Sequence, residues 1–309
     1  MIGGAACLRF YIFTRKKIIM TEEYFSACLL CGTEKFSAVK KYSKHHLVKC
    51  SNCGFVFSRK KPSLDELLAV YDFYPIFQTV SPITLKRYDE LLNYLERFRK
   101  TNNLIDVGSG DGYFPERAKL RGWNVFGTEF TDAKVEFSRK KGITMHKGVL
   151  DVSNYSPEFF DVIISIEVLE HISNPHEEIA KFNTLLRKGG AAYITTPNFN
   201  SVSKLLLQKN WNIVAYPEHL SYYTRKTLSR LFLSSGFDTV RILTSGVSFS
   251  RVQQSVNEPS RVNEFTVTDE KVRMAAEHNF FLRTAKKIIN TALNFFSAGD
   301  TLKAVFVKR

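Results

Sequence analysis

The stretch "LIDVGSGDGYF", residues 104–114, closes an apolar run with an acid and then sets glycine at three alternate positions, Gly108, Gly110 and Gly112. It reads as a strand, a tight turn and the start of a helix, with bare backbone that a ligand can approach closely. A dinucleotide fingerprint needs G-x-G-x-x-G/A, and Tyr113 stands where its third small residue belongs. A P-loop needs a lysine and a hydroxyl residue after its glycines, and neither is there. Asp106 and Asp111 flank the turn. Two carboxylates suit a ligand bearing an ammonium or sulfonium and suit a pyrophosphate badly.

Outward from this turn the chain keeps a regular rhythm. After "NNLIDVG" come a helix reaching about Arg121, "WNVFGTEF", a helix from Thr131, "ITMHKGVLD", "FDVIISIEVLEH", a helix opened by Ser-Asn-Pro at residues 173–175, and "GGAAYITTPN". Such alternation predicts an α/β domain whose parallel sheet is covered by helices on both faces. In these sheets a ligand sits beyond the carboxyl ends of the strands, where the strand order reverses. Glu129 ends the second strand, where a carboxylate can accept both hydroxyls of a ribose.

Four segments, "LIDVGSGDGYF", "FGTEF", "FDVIISIEVLEHI" and "LLRKGGAAYITTPN", in this order and spacing over residues 102–198, resemble the class I S-adenosylmethionine (SAM)-dependent methyltransferases. The resemblance implies a Rossmann-like seven-stranded methyltransferase sheet and SAM as cofactor. By position it implies that Asp106, Gly108, Ser109 and Gly110 wall the methionine part, that Glu129 with Phe130 meets the ribose, and that Glu167 lies beside the methionine carboxyl and amino groups. The Leu150 amide is expected at the adenine. Many relatives carry an acid just after the glycine of that segment; Val149 stands there in this chain, and Asp151 follows two residues later. The signature "LEH", residues 169–171, is expected to start a helix and pack.

On the acceptor side, "WNIVAYPEHLSYYTRKTLSRLFLSSGF" runs from residue 211 to 237. Thr224 is expected to cap a helix that buries Leu228, Leu231 and Phe232, and Ser235 with Gly236 to close it. Glu218 and His219 precede that cap in a loop near the switch point. Imidazole titrates near neutrality, so His219 is the candidate base for the acceptor proton. The stretch resembles methyltransferases that include sugar and quinone-type O-methyltransferases. "PEHLSYY" together with an N-terminal four-cysteine domain also resembles deoxysugar C-methyltransferases acting on nucleotide sugars, in which the Glu-His pair is implicated in base chemistry. The expected acceptor is a hydroxyl, or a carbon, of a sugar, nucleotide sugar or glycan precursor; the alternatives are a quinone-type or an RNA acceptor.

The N-terminal segment "CLLCGTEKFSAVKKYSKHHLVKCSNCG", residues 28–54, reads C-x2-C-x18-C-x2-C. That spacing fits a zinc ribbon over residues 24–60, with Cys28, Cys31, Cys50 and Cys53 closing a tetrahedral structural Zn²⁺ site without an open position for catalysis. Metal-type cysteine spacing points to a reducing cytoplasm. His45 and His46 read as exposed loop histidines. Residues 61–101 read as a linker of two helices in which Tyr71, Tyr74 and Tyr88 pack on the sheet, and 102–309 as the methyltransferase domain. The first 20 residues read as an extension ahead of a start at Met20.

Lysine and arginine outnumber acids 44 to 30, a formal charge of +14, but in short scattered clusters that read as solvated helix faces. The rival RNA partner is poorly supported. The ribbon is not conspicuously richer in arginine and aromatics than the rest, and after the fourth strand the chain reads "IEVLEH" rather than the "NPPY"-like segment of base-amine methyltransferases. No apolar run reaches the ~18 residues that span a bilayer. The final segment "NFFLRTAKKIINTALNFFSAGDTLKAVFVKR" predicts an amphipathic helix whose Phe281, Ile288, Ala292 and Phe296, with Arg283, Lys286 and Lys287 around them, form a core or lid face. Peripheral docking on an anionic membrane is its sharper reading. A last strand is expected to complete the sheet.

Overall fold

The computed structural model describes residues 22–71, 75–246 and 280–309. The expected extension over the first 20 residues lies outside them. The chain opens with three short antiparallel strands, β1 (Phe36–Ala38), β2 (Leu47–Cys50) and β3 (Val56–Ser58), followed by helices α1 (Leu64–Tyr71) and α2 (Pro82–Leu95). Ser81 caps α2 by accepting from the Thr84 amide, and Pro82 fills the first helical position, where its missing N–H costs nothing.

The main domain then alternates as its sequence predicts: β4 (Asn103–Val107), α3 (Tyr113–Lys119), β5 (Asn124–Glu129), α4 (Asp132–Lys140), β6 (Thr144–Lys147), β7 (Phe160–Ile166), α5 (Pro175–Leu185) and β8 (Leu186–Pro197). After α6 (Val202–Leu207) and the two-residue β9 (Ser221–Tyr222) come α7 (Arg225–Ser234), β10 (Phe237–Ser245), α8 (Phe280–Phe295) and β11 (Thr301–Lys308). Seven of these strands form one sheet in the order β10-β11-β8-β7-β4-β5-β6. The five from β8 to β6 pair in parallel, and β11 runs antiparallel between β8 and β10. This is the Rossmann-like seven-stranded sheet expected of the methyltransferases. Strand order reverses between β4 and β7, so the carboxyl ends of those two strands flank the ligand crevice.

Nearly every residue of β7 is buried, as befits a central parallel strand covered on both faces. The opposite end of the sheet is pinned by Asp161. Its Oδ2 accepts from the amides of Lys100, Thr101 and Asn102 at 2.6–2.8 Å, and its Oδ1 accepts from Arg187 Nε. Arg187 also donates to the Phe98 carbonyl, so a single buried carboxylate ties the α2 exit to β7 and β8.

The ribbon is not a free-standing knob. Its sheet has the order β1-β2-β3-β9, and the fourth strand comes from the acceptor segment of the main domain, with Val56 opposite Tyr222 and Phe57 opposite Ser221. Cys28, Cys50, Cys53, Phe55 and Phe57 lie in the same apolar cluster as Leu150, Leu169, Ile179 and Tyr223. The units expected at 24–60 and 102–309 therefore share a strand and a core.

Helix α2 packs on α3 through Tyr88 and Phe114, and Asp89 accepts both Nε and Nη2 of Arg117. Tyr88 packs as expected; Tyr74 and the Tyr71 side chain lie outside the described residues. The expectation for the final helix is corrected in part. Ile288, Ala292 and Phe296 face outward, Ile288 being 65% and Phe296 73% exposed. The helix holds β10 instead by its polar side, where Asn294 Oδ1 accepts from Thr244 N, Asn290 Oδ1 from Gly246 N, and the Leu293 carbonyl from Thr244 Oγ1. The side chains of Phe281, Arg283 and Lys286 lie outside the description, and Lys287 is exposed. Among the described residues no helix is long and apolar enough to cross a membrane.

Candidate active site

The glycine turn follows β4 as expected. Gly108 has φ +72°, and a Cβ there would meet Val168 Cγ2 at 2.5 Å, so glycine is required by packing against the chain that leaves β7. Gly110 has φ +53°, yet a Cβ there would meet nothing within 4 Å. Its bare face opens on empty space, the condition for a ligand to lie against the backbone. Between them the Ser109 amide donates to the Thr128 carbonyl at 2.9 Å, tying the turn to β5.

Around this turn stand the acids. Asp106 is 4% exposed; burial first, and then the neighbouring Glu129 carboxylate, push its carboxyl well above the ordinary range. Asp111 accepts from the Phe77 amide at 3.0 Å through Oδ2, while its buried Oδ1 has no partner. Tyr113 donates to the Phe77 carbonyl at 2.8 Å, so the stretch before α2 passes over the turn. Tyr88 lies beside both acids; burial and their charge push its phenol up to about 12. Glu129 Oε2 accepts from Gly110 N at 3.0 Å, and Oε1 from Phe130 N and Thr131 N at 2.8 and 3.0 Å. A carboxylate offers about four lone-pair positions, so a ribose would share this one with the loop amides.

An uncompensated buried acid, an orphaned carboxylate oxygen and an open glycine face suit a cationic cofactor such as SAM. Glu167, at the end of β7, has φ +55°, a conformation a side-chain-bearing residue adopts only when its surroundings impose it. Its amide donates to the Thr195 carbonyl at 3.0 Å, and its Oε1 accepts from Thr195 Oγ1 at 2.9 Å. The adenine-side residues are less convergent. Leu150 is buried in the core, Phe130 is 44% exposed, and the exposed Asp151 uses its carboxylate to cap a 3-10 turn through the Ser153 amide at 2.9 Å.

Glu218 and His219 are brought to the β7 end of the sheet, next to "LEH". That signature forms a 3-10 turn in which Leu169 packs as expected and Glu170 Oε2 accepts from Thr196 Oγ1 at 2.9 Å. His171 departs from a packing role. Its ring lies 4.8 Å from that of His219, its Nδ1 donates to the Glu218 carbonyl at 2.7 Å, and burial holds its pKa below the usual value. His219 Nδ1 faces the Ile213 carbonyl at 2.6 Å, which fixes the tautomer with the proton on Nδ1 and leaves Nε2 as the basic nitrogen; Glu218 Oε1 is 4.0 Å from it. Ligand atoms of Glu170, His171 and His219 all lie within 4.8 Å, a group able to hold a cation.

A cleft of about 630 Å³ opens beside His171 and is bounded by Tyr24, Phe25, Lys61, Asn174 and Leu220. Most of that wall belongs to the ribbon and the stretch after it. Sequence reading missed it because the contact joins residues some 150 positions apart, with no local pattern to mark it.

The four cysteines converge. Cys28 and Cys53 Sγ are 3.7 Å apart, Cys31 and Cys50 Sγ 3.5 Å, and all four lie within 4.8 Å of one another. Tetrahedral zinc with Zn–S near 2.3 Å separates its sulfurs by about 3.8 Å. The amides of Leu30 and Cys53 and the Asn52 side chain point at the sulfurs, at 3.5, 3.4 and 3.6 Å. Burial pushes the Cys28 thiol up to about 11, whereas at Cys31 hydrogen bonds from the Thr33 amide and the neighbouring thiols outweigh burial and bring the thiol down to about 7; a bound cation would draw off the remaining protons.

The chain is similar to known methyltransferases. The methyltransferase domain family matches residues 83–242. A ubiquinone biosynthesis O-methyltransferase from Pseudomonas syringae pv. tomato is 26% identical over 136 residues, 42% of this chain and 56% of that protein. One from Chromobacterium violaceum is 24% identical over 194 residues, 57% of this chain and 83% of that protein. The chain thus spans little more than half the length of the first of these relatives. A SAM-dependent methyltransferase structure from Archaeoglobus fulgidus superimposes with a TM-score of 0.49 at 17% identity, covering 72% of this chain and 92% of that one.

Proposed function

The chain belongs to the methyltransferase domain family, as a class I SAM-dependent enzyme, and from that premise we propose that its acceptor is a hydroxyl of a sugar or sugar-bearing small molecule. Bound SAM supplies an electrophilic methyl carbon on a sulfonium. Asp106, with the open face of Gly110, receives the methionine part, Glu129 the ribose, and Glu167 the methionine amino and carboxyl end. The acceptor lies in the cleft between the ribbon and β7, and its hydroxyl proton passes to His219 Nε2. Glu218, 4.0 Å from that nitrogen, stabilises the imidazolium that results. Orienting acceptor and methyl carbon in line contributes about 7 to 11 kcal/mol, and base assistance about 100-fold or more. Positioning therefore outweighs proton transfer.

The observation that carries the sugar reading is the composition of the cleft wall: aromatic rings from Tyr24 and Phe25, the Lys61 ammonium, and Ser173 and Asn174 as hydrogen-bonding groups. Aromatic faces with convergent polar groups suit a hydroxyl-rich ring. A quinone-type acceptor is the second reading, favoured by the ubiquinone biosynthesis relatives. Cys28, Cys31, Cys50 and Cys53 hold Zn²⁺ in a structural role.

Incubation with labelled SAM and a panel of nucleotide sugars, quinone precursors and transfer RNA, followed by mass analysis, separates the readings. Label on a nucleotide sugar is the expected result, and label only on a quinone precursor or RNA overturns it. His219→Ala is expected to keep SAM affinity and lower turnover about 100-fold; unchanged turnover removes His219 from the mechanism.

A further inference from the structure

The loop that carries Glu218 and His219 is tied to the ribbon and to the stretch after it at several points. The Tyr216 amide donates to His45 Nδ1 at 3.2 Å. The Tyr216 hydroxyl lies 3.3 Å from the Lys61 carbonyl and 3.1 Å from Glu66 Oε2, and its ring meets His46 edge-on at 5.1 Å. At the other end of the loop the Ser58 amide donates to the Leu220 carbonyl, and β3 pairs with β9. His45 is itself held, since it ends the 3-10 turn Lys40–His45, which the Val39 amide closes by donating to the Leu47 carbonyl. Sequence reading took His45 for an exposed loop residue; it is half-buried, and its one ring acceptor meets a main-chain donor two residues before Glu218.

We propose that His45 is a positioning residue: its neutral imidazole accepts the Tyr216 amide and thereby sets the orientation of the loop that presents His219. The ribbon is on this account the template of the acceptor-side base rather than a stabilising appendage. Three features make the contact more than packing. It involves a ring nitrogen that can accept only in one tautomer. Burial first, and the adjacent His46 and Lys44 charges after it, hold the His45 pKa below its ordinary value, which favours the neutral form able to accept. Its donor lies in a short loop in which the His219 amide donates to the Ala215 carbonyl at 2.7 Å and His171 Nδ1 holds the Glu218 carbonyl at 2.7 Å, so residue 216 and the imidazole three residues on belong to one hydrogen-bonded turn.

This inference rests on His219 being the base, but its test reads the imidazole directly. Full-length protein with bound SAM, labelled with ¹⁵N-histidine, is examined by NMR as wild type, His45→Leu and His45→Asn. Asparagine places a carbonyl oxygen where Nδ1 stands, so it restores the acceptor without the ring. The wild type is expected to show His219 as one fixed tautomer protonated on Nδ1, His45→Leu a mixture of tautomers, and His45→Asn the wild-type pattern, with SAM affinity by calorimetry within about two-fold in all three. An unchanged His219 signal in His45→Leu, or failure of His45→Asn to restore it, overturns the proposal. Should His45→Leu not fold, hydrogen exchange in the wild type decides: a Tyr216 amide that exchanges as fast as an open loop sinks the idea. An active His219→Ala variant together with a His45-dependent His219 signal would remove the base role alone and leave the coupling in place.

Discussion

At the scale of single residues the proposed cofactor end of the site is marked by an acid held out of water. Asp106 is buried beside Glu129 with no cation to compensate it, which is why its carboxyl titrates well above the ordinary range. The sign of the consequence follows from that direction. A carboxyl whose folded pKa is raised favours folding only where it is protonated, so its stabilising effect is present below the unfolded value near 4 and is lost as pH rises through the folded value. Asp106→Asn is therefore expected to raise the melting temperature of the SAM-free protein at about pH 8 and to leave it unchanged at about pH 4, while weakening SAM binding measured by calorimetry. A variant that melts no higher at alkaline pH would show that the carboxylate is already compensated.

At the scale of elements, α7 joins the acceptor loop to the far edge of the sheet. Thr224 accepts from the Thr227 amide, and Thr227 Oγ1 accepts from the Thr224 amide, a reciprocal cap that satisfies two groups the helix start leaves open. The helix lays Leu228, Leu231 and Phe232 on the sheet, and the Phe232 ring stacks on Phe306 of β11 with centroids 3.8 Å apart. Thr224→Ala is expected to cost about 1 kcal/mol in urea unfolding, with the slope unchanged. No measurable loss would mean that packing of the apolar face alone defines where this helix begins.

At the scale of the whole molecule, the shared strand and shared core predict that the ribbon and the main domain unfold as one unit. Cys50→Ser with Cys53→Ser would remove half of the proposed metal ligands and loosen a cluster that also contains Leu150, Leu169 and Ile179. Calorimetry is expected to record a single transition lowered by about 5 °C or more, rather than an early ribbon transition followed by an unaltered main one. Two separate transitions would mean that the ribbon is only attached. Treatment of the wild type with a strong chelator is expected to act in the same direction, because it would remove the ion proposed to bridge the four cysteines.

Much of this architecture was legible in the chain. The seven-stranded sheet, the glycine turn with Asp106, the Glu129 and Glu167 positions and the four-cysteine spacing are local patterns: runs of apolar residues with a period, and ligands a few residues apart, whose meaning survives without knowledge of what lies opposite. The outward turn of Ile288 and Phe296 was not legible, since an amphipathic period states that a helix has two faces but not which one meets the sheet; Asn290 and Asn294 settled that by bonding to β10. Nor were the roles of His45 and His171. A lone histidine acquires its function from what the fold brings to its ring nitrogens, and in both cases the partner is a main-chain group of the 216–218 loop, far along the chain. Sequence alone located the candidate cofactor residues because one turn and its strand carry most of them, whereas the candidate acceptor cleft exists only where β9 crosses to the ribbon, and that meeting is a property of the folded core.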